Sequence, residues 1–503
     1  MAPFAYQPTT INVYNHTESA IHVTHGEEKI SIQALGSAFS PSSVKSLKKI
    51  ILQDDANKHS FEIRLAKSSK WCQVRIKGDN EVEDVPWRIF QSMAAGSTQR
   101  LLVLPARNMA SFLGGISDSV HLSNILLPGT HESMALYGWP FASCQNSNQS
   151  VLSQLQSGIR VFDVRLAAVN GTTLTSYHSI ISEKVLFSDI IATFSAFLSS
   201  VDGQRECVVL SIKQEDGSTT PDSVFSSLVY QAVVGSSVSG SLEGKGVTET
   251  TTGGRPLPPP SPMKKGPQAQ SLGDMWYLEN RVPTLGEVRG KIVLFSRFGY
   301  GSGWPGGMGI TPMIWPDSSP TGFSFTCGDT TFQMQDWYNI GSISKVSQKF
   351  AIATSTMITN PTPSDPTSTK HHVLPMSFSS ASSIPLALPS MVANGIGMSS
   401  IGFMGVNQRM FQWATEILTA AGPSALQRSP LPSQSVEREV VATDNQTPPN
   451  LQRVSGWLMM DFFDEPSGLA PLLVEMNWMN DNLGVQSLGG SQGWGQWFLG
   501  KSK

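Results

Sequence analysis

The sequence has few cysteines, little net charge and no long apolar run. Four cysteines occur in 503 residues and none forms a CxxC pair, which argues against a structural zinc site and a dense disulfide scaffold. The 35 basic and 38 acidic residues nearly cancel, so we expect no nucleic-acid partner. The N-terminus lacks a basic and apolar leader, and no run of about 18 apolar residues occurs. We therefore expect a cytoplasmic or peripherally membrane-bound protein without a signal peptide or transmembrane segment.

The chain consists of two regions with different sequence patterns. Residues 1–112 contain short runs of alternating apolar and polar residues, such as TTINVYNH, SAIHVTHG and RLLVLPA, separated by turn residues. This pattern predicts an N-terminal antiparallel β-domain. In residues 113–500, apolar runs alternate with helical patterns, as in βα units around a parallel sheet.

Eight apolar runs in the second region are strand candidates, which fits a TIM-type (β/α) barrel of the α/β class, in a distorted form. They are SNILLPG, RVFDVRL, TLTSYH, CVVLSIK, KIVLFSRF, FQMQDWY, VLPMSFSS and WLMMDFF. Three stretches rich in Pro, Ser, Thr and Gly cannot fill a core, and we interpret them as insertions near 239–271, 360–370 and 422–450.

Charged and imidazole side chains follow three successive strand candidates. His131 ends the run LSNILLPGTH, where a histidine could equally be a core residue bonded to a carbonyl. Asp163 and Arg165 are two residues apart in RVFDVRL, so both face one side of a strand, either as a structural ion pair or as part of a site. His178 ends the run TLTSYH. Two histidines, a carboxylate and a guanidinium are therefore expected at one rim of the barrel.

The motifs PGTHES, FDVR and YHS, in this order and spacing, resemble the catalytic X-region of phosphatidylinositol-specific phospholipases C, particularly the bacterial type. The segments SIKQE, EVRGKIVLFSRF, QDWY and WLMMDFF extend the resemblance over roughly residues 118 to 475. It implies cleavage of phosphatidylinositol-type lipids to diacylglycerol and inositol cyclic phosphate, with a phosphoinositide or a glycosylated phosphatidylinositol anchor as substrate.

The resemblance also assigns roles to residues of this chain. His131 would be the general base that deprotonates the inositol 2-hydroxyl, oriented by Asp461. His178 would be the general acid that protonates the leaving oxygen, supported by Asp163 or Glu132, and Arg165 would hold a phosphate oxygen. Such an in-line displacement requires a base and an acid on opposite sides of phosphorus, and imidazoles titrate near neutrality.

The resemblance further implies that no metal or other cofactor takes part. In calcium-dependent relatives a carboxylate occupies the position of Arg165, and a guanidinium cannot ligate calcium. Glu132 departs from the family, which usually carries Asp next to the first histidine. The headgroup would be bound by Lys213, Arg297, Asp336 and Tyr338. Alternatively, Lys213 and Arg297 are solvated charges at strand ends, and QDWY is an aromatic segment at the rim.

Two other functions remain open from the residues. A metal-dependent glycerophosphodiesterase or sphingomyelinase D on the same barrel would require an acidic metal cluster beside His131. An inactive lipid-binding barrel would have no need of an acid/base pair. Three aromatic residues on loops, Trp139, Phe141 and Trp304, are expected either to contact a lipid surface or to pack within their loops.

Overall fold

A computed structural model describes most of the chain. It covers residues 10–25, 28–34, 37–39, 49–54, 60–64, 72–74, 86–93, 98–235, 275–298, 304, 307–359, 371–396, 402–420 and 453–478. The three expected insertions, 239–271, 360–370 and 422–450, lie outside the described residues.

The first nine strands form two sheets, in the orders β4-β1-β9-β8-β7 and β3-β2-β5-β6. Neighbouring strands in these sheets are antiparallel as expected, except that β1 runs parallel to β9. These two strands are distant in sequence, so the chain can return in either direction, and the alternation of side chains does not specify which. The strands are β1 (Thr10–Asn15), β2 (Ile21–His25), β3 (Glu28–Ile32), β4 (Ser37–Phe39), β5 (Lys49–Asp54), β6 (Ser60–Arg64), β7 (Cys72–Gln73), β8 (Trp87–Met93) and β9 (Thr98–Pro105).

Strands and helices alternate through most of the rest of the chain. The strands are β10 (Leu126–Thr130), β11 (Val161–Val169), β12 (Thr173–His178), β13 (Ile181–Leu186), β14 (Cys207–Gln214), β15 (Trp276–Tyr277), β16 (Lys291–Arg297), β17 (Phe323–Cys327), β18 (Thr330–Gln335), β19 (Ile358–Thr359), β20 (His372–Phe378), β21 (Arg453–Val454) and β22 (Gly456–Met460). The helices are α1 (Val151–Gln156), α2 (Phe187–Leu198), α3 (Asp222–Gly235), α4 (Val346–Met357), α5 (Pro389–Asn394), α6 (Val406–Ala420) and α7 (Leu469–Glu475). Short 3-10 helices span Met109–Gly115, Leu122–Asn124, Gly286–Val288, Ile343–Lys345 and Met476–Trp478.

The large sheet has the order β15-β16-β14-β11-β10-β22-β20-β18-β17, and all neighbours on this path except β17 and β18 are parallel. The sheet is curled so that its two halves meet. Phe295 of β16 lies 5.9 Å from Phe332 of β18, ring centre to ring centre, and both rings contact Trp457. No ladder joins β16 to β18 within the described residues. The predicted α/β class is confirmed, and the sheet is curled and mostly parallel.

Side chains alternate between the two faces of this sheet. In β11, Val161 packs in the inner core, whereas Phe162 and Val164 pack in the outer core against the helices. The outer face is covered by amphipathic helices such as α2, whose Phe187, Ile190, Ile191 and Phe194 are buried. No helix in the described part of the chain is both long and apolar enough to cross a bilayer.

The run TLTSYH was expected to be a barrel strand, and this expectation is wrong. It forms β12, which pairs antiparallel with β11 and with β13. Asn170 and Gly171, with φ of 53° and 69°, reverse the chain directly after β11. Asn-Gly favours such a turn because both residues tolerate positive φ. His178 therefore reaches the rim on a hairpin rather than on a strand of the curled sheet.

Candidate active site

In six parallel strands, the side chains that point into the interior of the curled sheet change from apolar to polar at the carboxyl end of the strand. Leu127 of β10 leads to His131, and Trp457 and Met459 of β22 lead to Asp461, because residues two apart share a face. The other four strands end in the same way, with Asp163 and Arg165 after Val161, Lys213 after Val209, Arg297 after Phe295, and Asp336 after Met334. The six strand ends therefore place polar groups on top of one apolar interior.

His131 is held between the backbone and a carboxylate. Its backbone N–H donates to the Met460 carbonyl at 2.9 Å, and its ring Nδ1 lies 2.8 Å from Asp461 Oδ1. A carboxylate can only accept here, so Nδ1 carries the proton and Nε2 is left as the basic nitrogen. Asp461 and Glu132 raise the pKa of His131 above its ordinary value, although burial alone would lower it.

Arg165 is the centre of the site. Its Nη2 lies 3.0 Å from Nε2 of His131, and its Nη1 pairs with Glu132 and, at 3.2 Å, with Glu215. Its Nε lies 3.4 Å from a carboxylate oxygen of Asp163. These carboxylates raise the pKa of Arg165 above its ordinary value in spite of burial. The guanidinium is therefore a fixed positive charge beside the basic nitrogen of His131.

Glu132 and His178 form the second half of the site. His178 Nε2 lies 3.0 Å from Glu132 Oε2, and its Nδ1 lies 2.5 Å from the Ala142 carbonyl oxygen. A carbonyl accepts only, so Nδ1 donates and Nε2 faces the carboxylate. Glu132 has a φ of 41°, unusual for a residue other than glycine, and its N–H donates to Asp163 at 3.2 Å. The longer side chain of Glu132 thus links His178 to Arg165.

Asp163 contacts cations rather than His178. Its second oxygen accepts from Arg297 Nη1 at 3.2 Å. Burial would raise the pKa of this carboxyl, but Arg165 and Arg297 together hold it well below its usual range. Of the two partners expected for His178, the structure places Glu132 next to it and Asp163 next to the two arginines.

Glu215 is a member of the site that we did not predict. It accepts from Lys213 Nζ at 3.1 Å as well as from Arg165, and so joins the two cations. Burial and Arg165 lower the pKa of Lys213. Glu215 follows Lys213 by two residues in SIKQE, so the same-face rule that paired Asp163 with Arg165 could have identified it.

The remaining headgroup candidates lie around Trp315. Arg297 lies over the Trp315 ring, 3.6 Å from its centre, and the Trp315 indole N–H donates to Asp336 at 3.0 Å. Tyr338 lies at the edge of this group, largely exposed, and its hydroxyl donates to Asp317. Trp315 was not predicted, because it lies in the loop after β16 and its spacing to any motif carries no signal.

The three aromatic residues proposed for lipid contact differ in exposure. Trp139 is 67% exposed and Phe141 54% exposed, both in the loop after β10. Trp304 is only 8% exposed, packs against Phe298 and Tyr230, and donates its indole N–H to Ser226 at 2.9 Å. Of the two alternatives left open for Trp304, packing is the one that the structure supports, because its ring lies between α3 and the end of β16.

Three groups of side chains in the described part of the chain have the donor atoms of a metal site. Two lie in the active site and share the buried thiol of Cys144, one with His131 and Asp461 and the other with Glu132 and His178. The third group lies at the opposite end of the sheet and comprises His121, Asp329 and His372. The rings of His121 and His372 are stacked 3.8 Å apart, an arrangement in which their lone pairs do not converge on one point.

Comparison with known proteins confirms the resemblance seen in the motifs, although no family model matches the chain. The 1-phosphatidylinositol phosphodiesterase of Staphylococcus aureus strain Newman is 23% identical over 244 residues, 46% of this chain and 65% of that protein. The protein of the same name from Listeria monocytogenes serovar 1/2a is 27% identical over 112 residues, 21% of this chain and 33% of that protein. The chain thus matches just under two thirds of the length of the S. aureus relative and one third of that of the L. monocytogenes relative.

Solved structures of two bacterial phosphatidylinositol-specific phospholipases C are also similar. The phosphatidylinositol-specific phospholipase C of S. aureus has a TM-score of 0.44 and 16% identity, covering 74% of this chain and 98% of that one. The enzyme of L. monocytogenes has a TM-score of 0.43 and 18% identity, covering 75% of this chain and 100% of that one.

Proposed function

We propose that this chain is an enzyme of the phosphatidylinositol-specific phospholipase C type, which cleaves a phosphatidylinositol-type lipid to diacylglycerol and inositol cyclic phosphate. One observation carries the proposal: a connected row of side chains, Asp461, His131, Arg165, Glu132 and His178, places an imidazole on each side of a fixed guanidinium. The sequence relatives named for this activity support the same assignment.

His131 is the general base in this mechanism. Asp461 holds the proton on Nδ1, so that Nε2 can accept the proton of the inositol 2-hydroxyl as that oxygen attacks phosphorus. Nε2 faces Nη2 of Arg165, so a non-bridging phosphate oxygen of a substrate whose 2-hydroxyl lies at Nε2 is within reach of this guanidinium. The arginine then stabilises the negative charge that develops on the phosphate.

His178 is the general acid. Its Nδ1 donates to the Ala142 carbonyl and its Nε2 faces Glu132, so each ring nitrogen has an acceptor beside it. The proton passes from the His178–Glu132 pair to the glycerol oxygen as the bond to phosphorus breaks. Proton transfers of this kind each contribute about 10²–10⁴-fold to the rate.

The proposed reaction uses no metal ion. Calcium and magnesium bind to sets of several carboxylate or carbonyl oxygens. Here the carboxylates nearest the expected phosphate, those of Asp163, Glu132 and Glu215, are already paired with Arg165, Arg297 or Lys213. A guanidinium supplies the positive charge that a metal would bring, which is why we favour this mechanism over that of a metal-dependent glycerophosphodiesterase or sphingomyelinase D.

Substrate recognition is assigned to the polar groups beside the row. Lys213, Arg297 and Asp336 offer charged donors and acceptors for the ring hydroxyls of inositol, and Tyr338 offers an exposed aromatic face. Free phosphatidylinositol and a glycosylated anchor share this inositol phosphate core, so both belong to the proposed substrate class.

We further propose that the curled sheet is a distorted TIM-type barrel spanning 113–500, with residues 1–112 as a separate β-rich domain. Exposed apolar residues follow the carboxyl ends of the inner strands, where a barrel enzyme meets its substrate. They are Trp139 and Phe141 after β10, Met313 after β16, and Leu386 after β20. This ring of apolar residues is the proposed surface for peripheral contact with the bilayer.

The decisive assay measures release of water-soluble inositol phosphate from mixed micelles of phosphatidylinositol in excess EDTA. Wild type should be active, and His131→Ala, His178→Ala and Arg165→Ala should each lose at least about 100-fold. His371→Ala is the matched control, since this exposed histidine bonds Thr331 away from the site, and should keep the wild-type rate. Activity that requires calcium or magnesium would refute the metal-free mechanism, and inactivity under all conditions would leave a lipid-binding protein as the alternative.

A further inference from the structure

Cys144 lies against the proposed acid pair although the reaction does not use it. Its Sγ lies 3.8 Å from Glu132 Oε2, and the side chain is buried. The backbone around it is fixed, because its N–H donates to Ala135 at 2.9 Å and its carbonyl accepts from Phe462 at 2.8 Å. The neighbouring Gln145 bridges two further carbonyls with its amide. The hydrogen bonds of this loop therefore fix the position of the thiol.

The three donor atoms beside this thiol are spaced as in a transition-metal site. Sγ of Cys144, a carboxylate oxygen of Glu132 and a ring nitrogen of His178 all lie within 4.8 Å of one another. Glu132 Oε2 and His178 Nε2 are 3.0 Å apart. A tetrahedral zinc with bonds of about 2.0–2.3 Å needs its ligand atoms roughly 3.3–3.7 Å apart. Small side-chain adjustments thus suffice to close the three donors around a cation.

The groups behind these donors also fit a metal. His178 donates from Nδ1 to the Ala142 carbonyl, the bond that orients most metal-bound histidines and leaves Nε2 as the ligand. Glu132 is fixed through its other oxygen by Arg165. The alternative set around Cys144 requires His131, whose Nδ1 is already taken by Asp461. The set with Glu132 and His178 therefore needs the smaller change.

We propose that Glu132, Cys144 and His178 form a binding site for a soft divalent cation such as Zn²⁺ or Cd²⁺, with water as the fourth ligand. The cation replaces the proton between His178 and Glu132, and the thiol proton leaves to solvent, with no change in oxidation state. Burial, Asp461 and Glu132 raise the pKa of the Cys144 thiol, so the cation must displace a thiol proton, and thiolate with imidazole selects zinc or cadmium over magnesium and calcium.

The site has a consequence for the enzyme. A metal on Nε2 of His178 removes the proton that the leaving group requires, so micromolar Zn²⁺ or Cd²⁺ should inhibit the reaction. This consequence depends on the proposed function, whereas metal binding itself does not. A direct optical measurement of binding therefore separates the two.

The experiment titrates the full-length protein with Cd²⁺ and records the ultraviolet charge-transfer absorption of the cadmium–thiolate bond. Wild type should show one saturable band, which Cys144→Ser and His178→Gln should weaken at least tenfold in apparent affinity. Cys327→Ser is the matched control, a buried thiol elsewhere in the sheet, and should retain the band. Cys144→Ala serves as a second variant should Cys144→Ser fold poorly.

The outcomes are distinguishable. A band that persists in His178→Gln and disappears in His131→Gln would place the metal with Asp461 and overturn the proposal, as would a wild-type titration without a band. With lipid substrate, Zn²⁺ should inhibit wild type, and Cys144→Ser should need at least tenfold more Zn²⁺ for the same fractional inhibition. If the cadmium band is present but the protein has no phospholipase C activity, the proposed metal site stands and the proposed function is refuted.

Discussion

Glu183 makes the stability of the fold depend on pH in an unusual direction. Its side chain is fully buried in β13, and one oxygen accepts from the N–H groups of Leu136 and Tyr137 at 3.0 Å each. The other oxygen, Oε1, has no hydrogen-bond partner among the described residues. Burial raises the pKa of this carboxyl from 4.5 to about 7. Glu183 thereby ties the loop that carries Ala142, the partner of His178, to the hairpin.

The magnitude follows from the two pKa values. Between pH 4.5 and pH 7 the folded protein holds a proton on Glu183 that the unfolded chain has released, so stability falls as pH rises through this window. A difference of 2.5 units, at about 1.36 kcal/mol per unit, corresponds to roughly 3 kcal/mol. Glu183→Gln cannot titrate, so this part of the pH dependence should vanish.

The assay is urea unfolding of wild type and Glu183→Gln at pH 5 and pH 7.5. Relative to wild type, the variant should gain about 2 kcal/mol in free energy of unfolding between the two pH values, most of the full effect, whatever the constant effect of the substitution. Ser182→Ala, a neutral change on the same strand, should shift equally at both. A Glu183→Gln difference that is independent of pH would show that this carboxyl titrates normally and would refute the reasoning.

Three further changes test other parts of the structure. Asp461→Asn should lower the turnover of phosphatidylinositol by about 10²–10⁴-fold and move the acidic limb of the pH–rate profile to lower pH, because Asp461 raises the pKa of His131; a rate within threefold of wild type would contradict the assigned base. Trp139→Ala should weaken binding to phosphatidylinositol vesicles by about tenfold, from lost burial of its ring, whereas Val201→Ser, at an even more exposed residue at the other end of the strands, should not. Arg160→Met should reduce the free energy of unfolding by about 3–5 kcal/mol in urea, since it leaves the buried carboxylate of Glu206 without its cation and removes a donor from four carbonyls; an unchanged midpoint would refute this.

The side chains that point inward from the parallel strands could be predicted from the sequence. In β11 the spacing of two between Asp163 and Arg165 alone places both side chains on the face opposite Phe162, and the structure has them there. The convergence of different strands on one rim could be anticipated because parallel strands end at the same edge. For this reason His131, Asp163 and Arg165 were expected close together, whereas Asp461 was assigned through the family resemblance and His178 reaches the same rim on an antiparallel hairpin.

The exceptions have physical causes. TLTSYH has the composition of a buried strand, but the Asn170–Gly171 turn before it determines its direction, and that local signal outweighs the apolar pattern. Trp304 lies in a glycine-rich loop that predicts exposure, yet tertiary packing against Phe298 buries it. Whether Asp163 or Glu132 supports His178 depends on side-chain reach across the site, which spacing along the chain does not encode.

The proposed base, His131, and the proposed acid, His178, follow strands that differ in how they are paired. His131 follows a central strand with parallel neighbours on both sides, whereas His178 ends a hairpin whose outer strand, β13, pairs only with β12 in the described part of the chain. Fraying of this hairpin would withdraw the acid and leave the base and its carboxylate in place. In that state the proposed reaction would still have its base but would depend on the intrinsic acidity of the departing alcohol, so substrates with good leaving groups should tolerate damage to the hairpin that natural lipids do not.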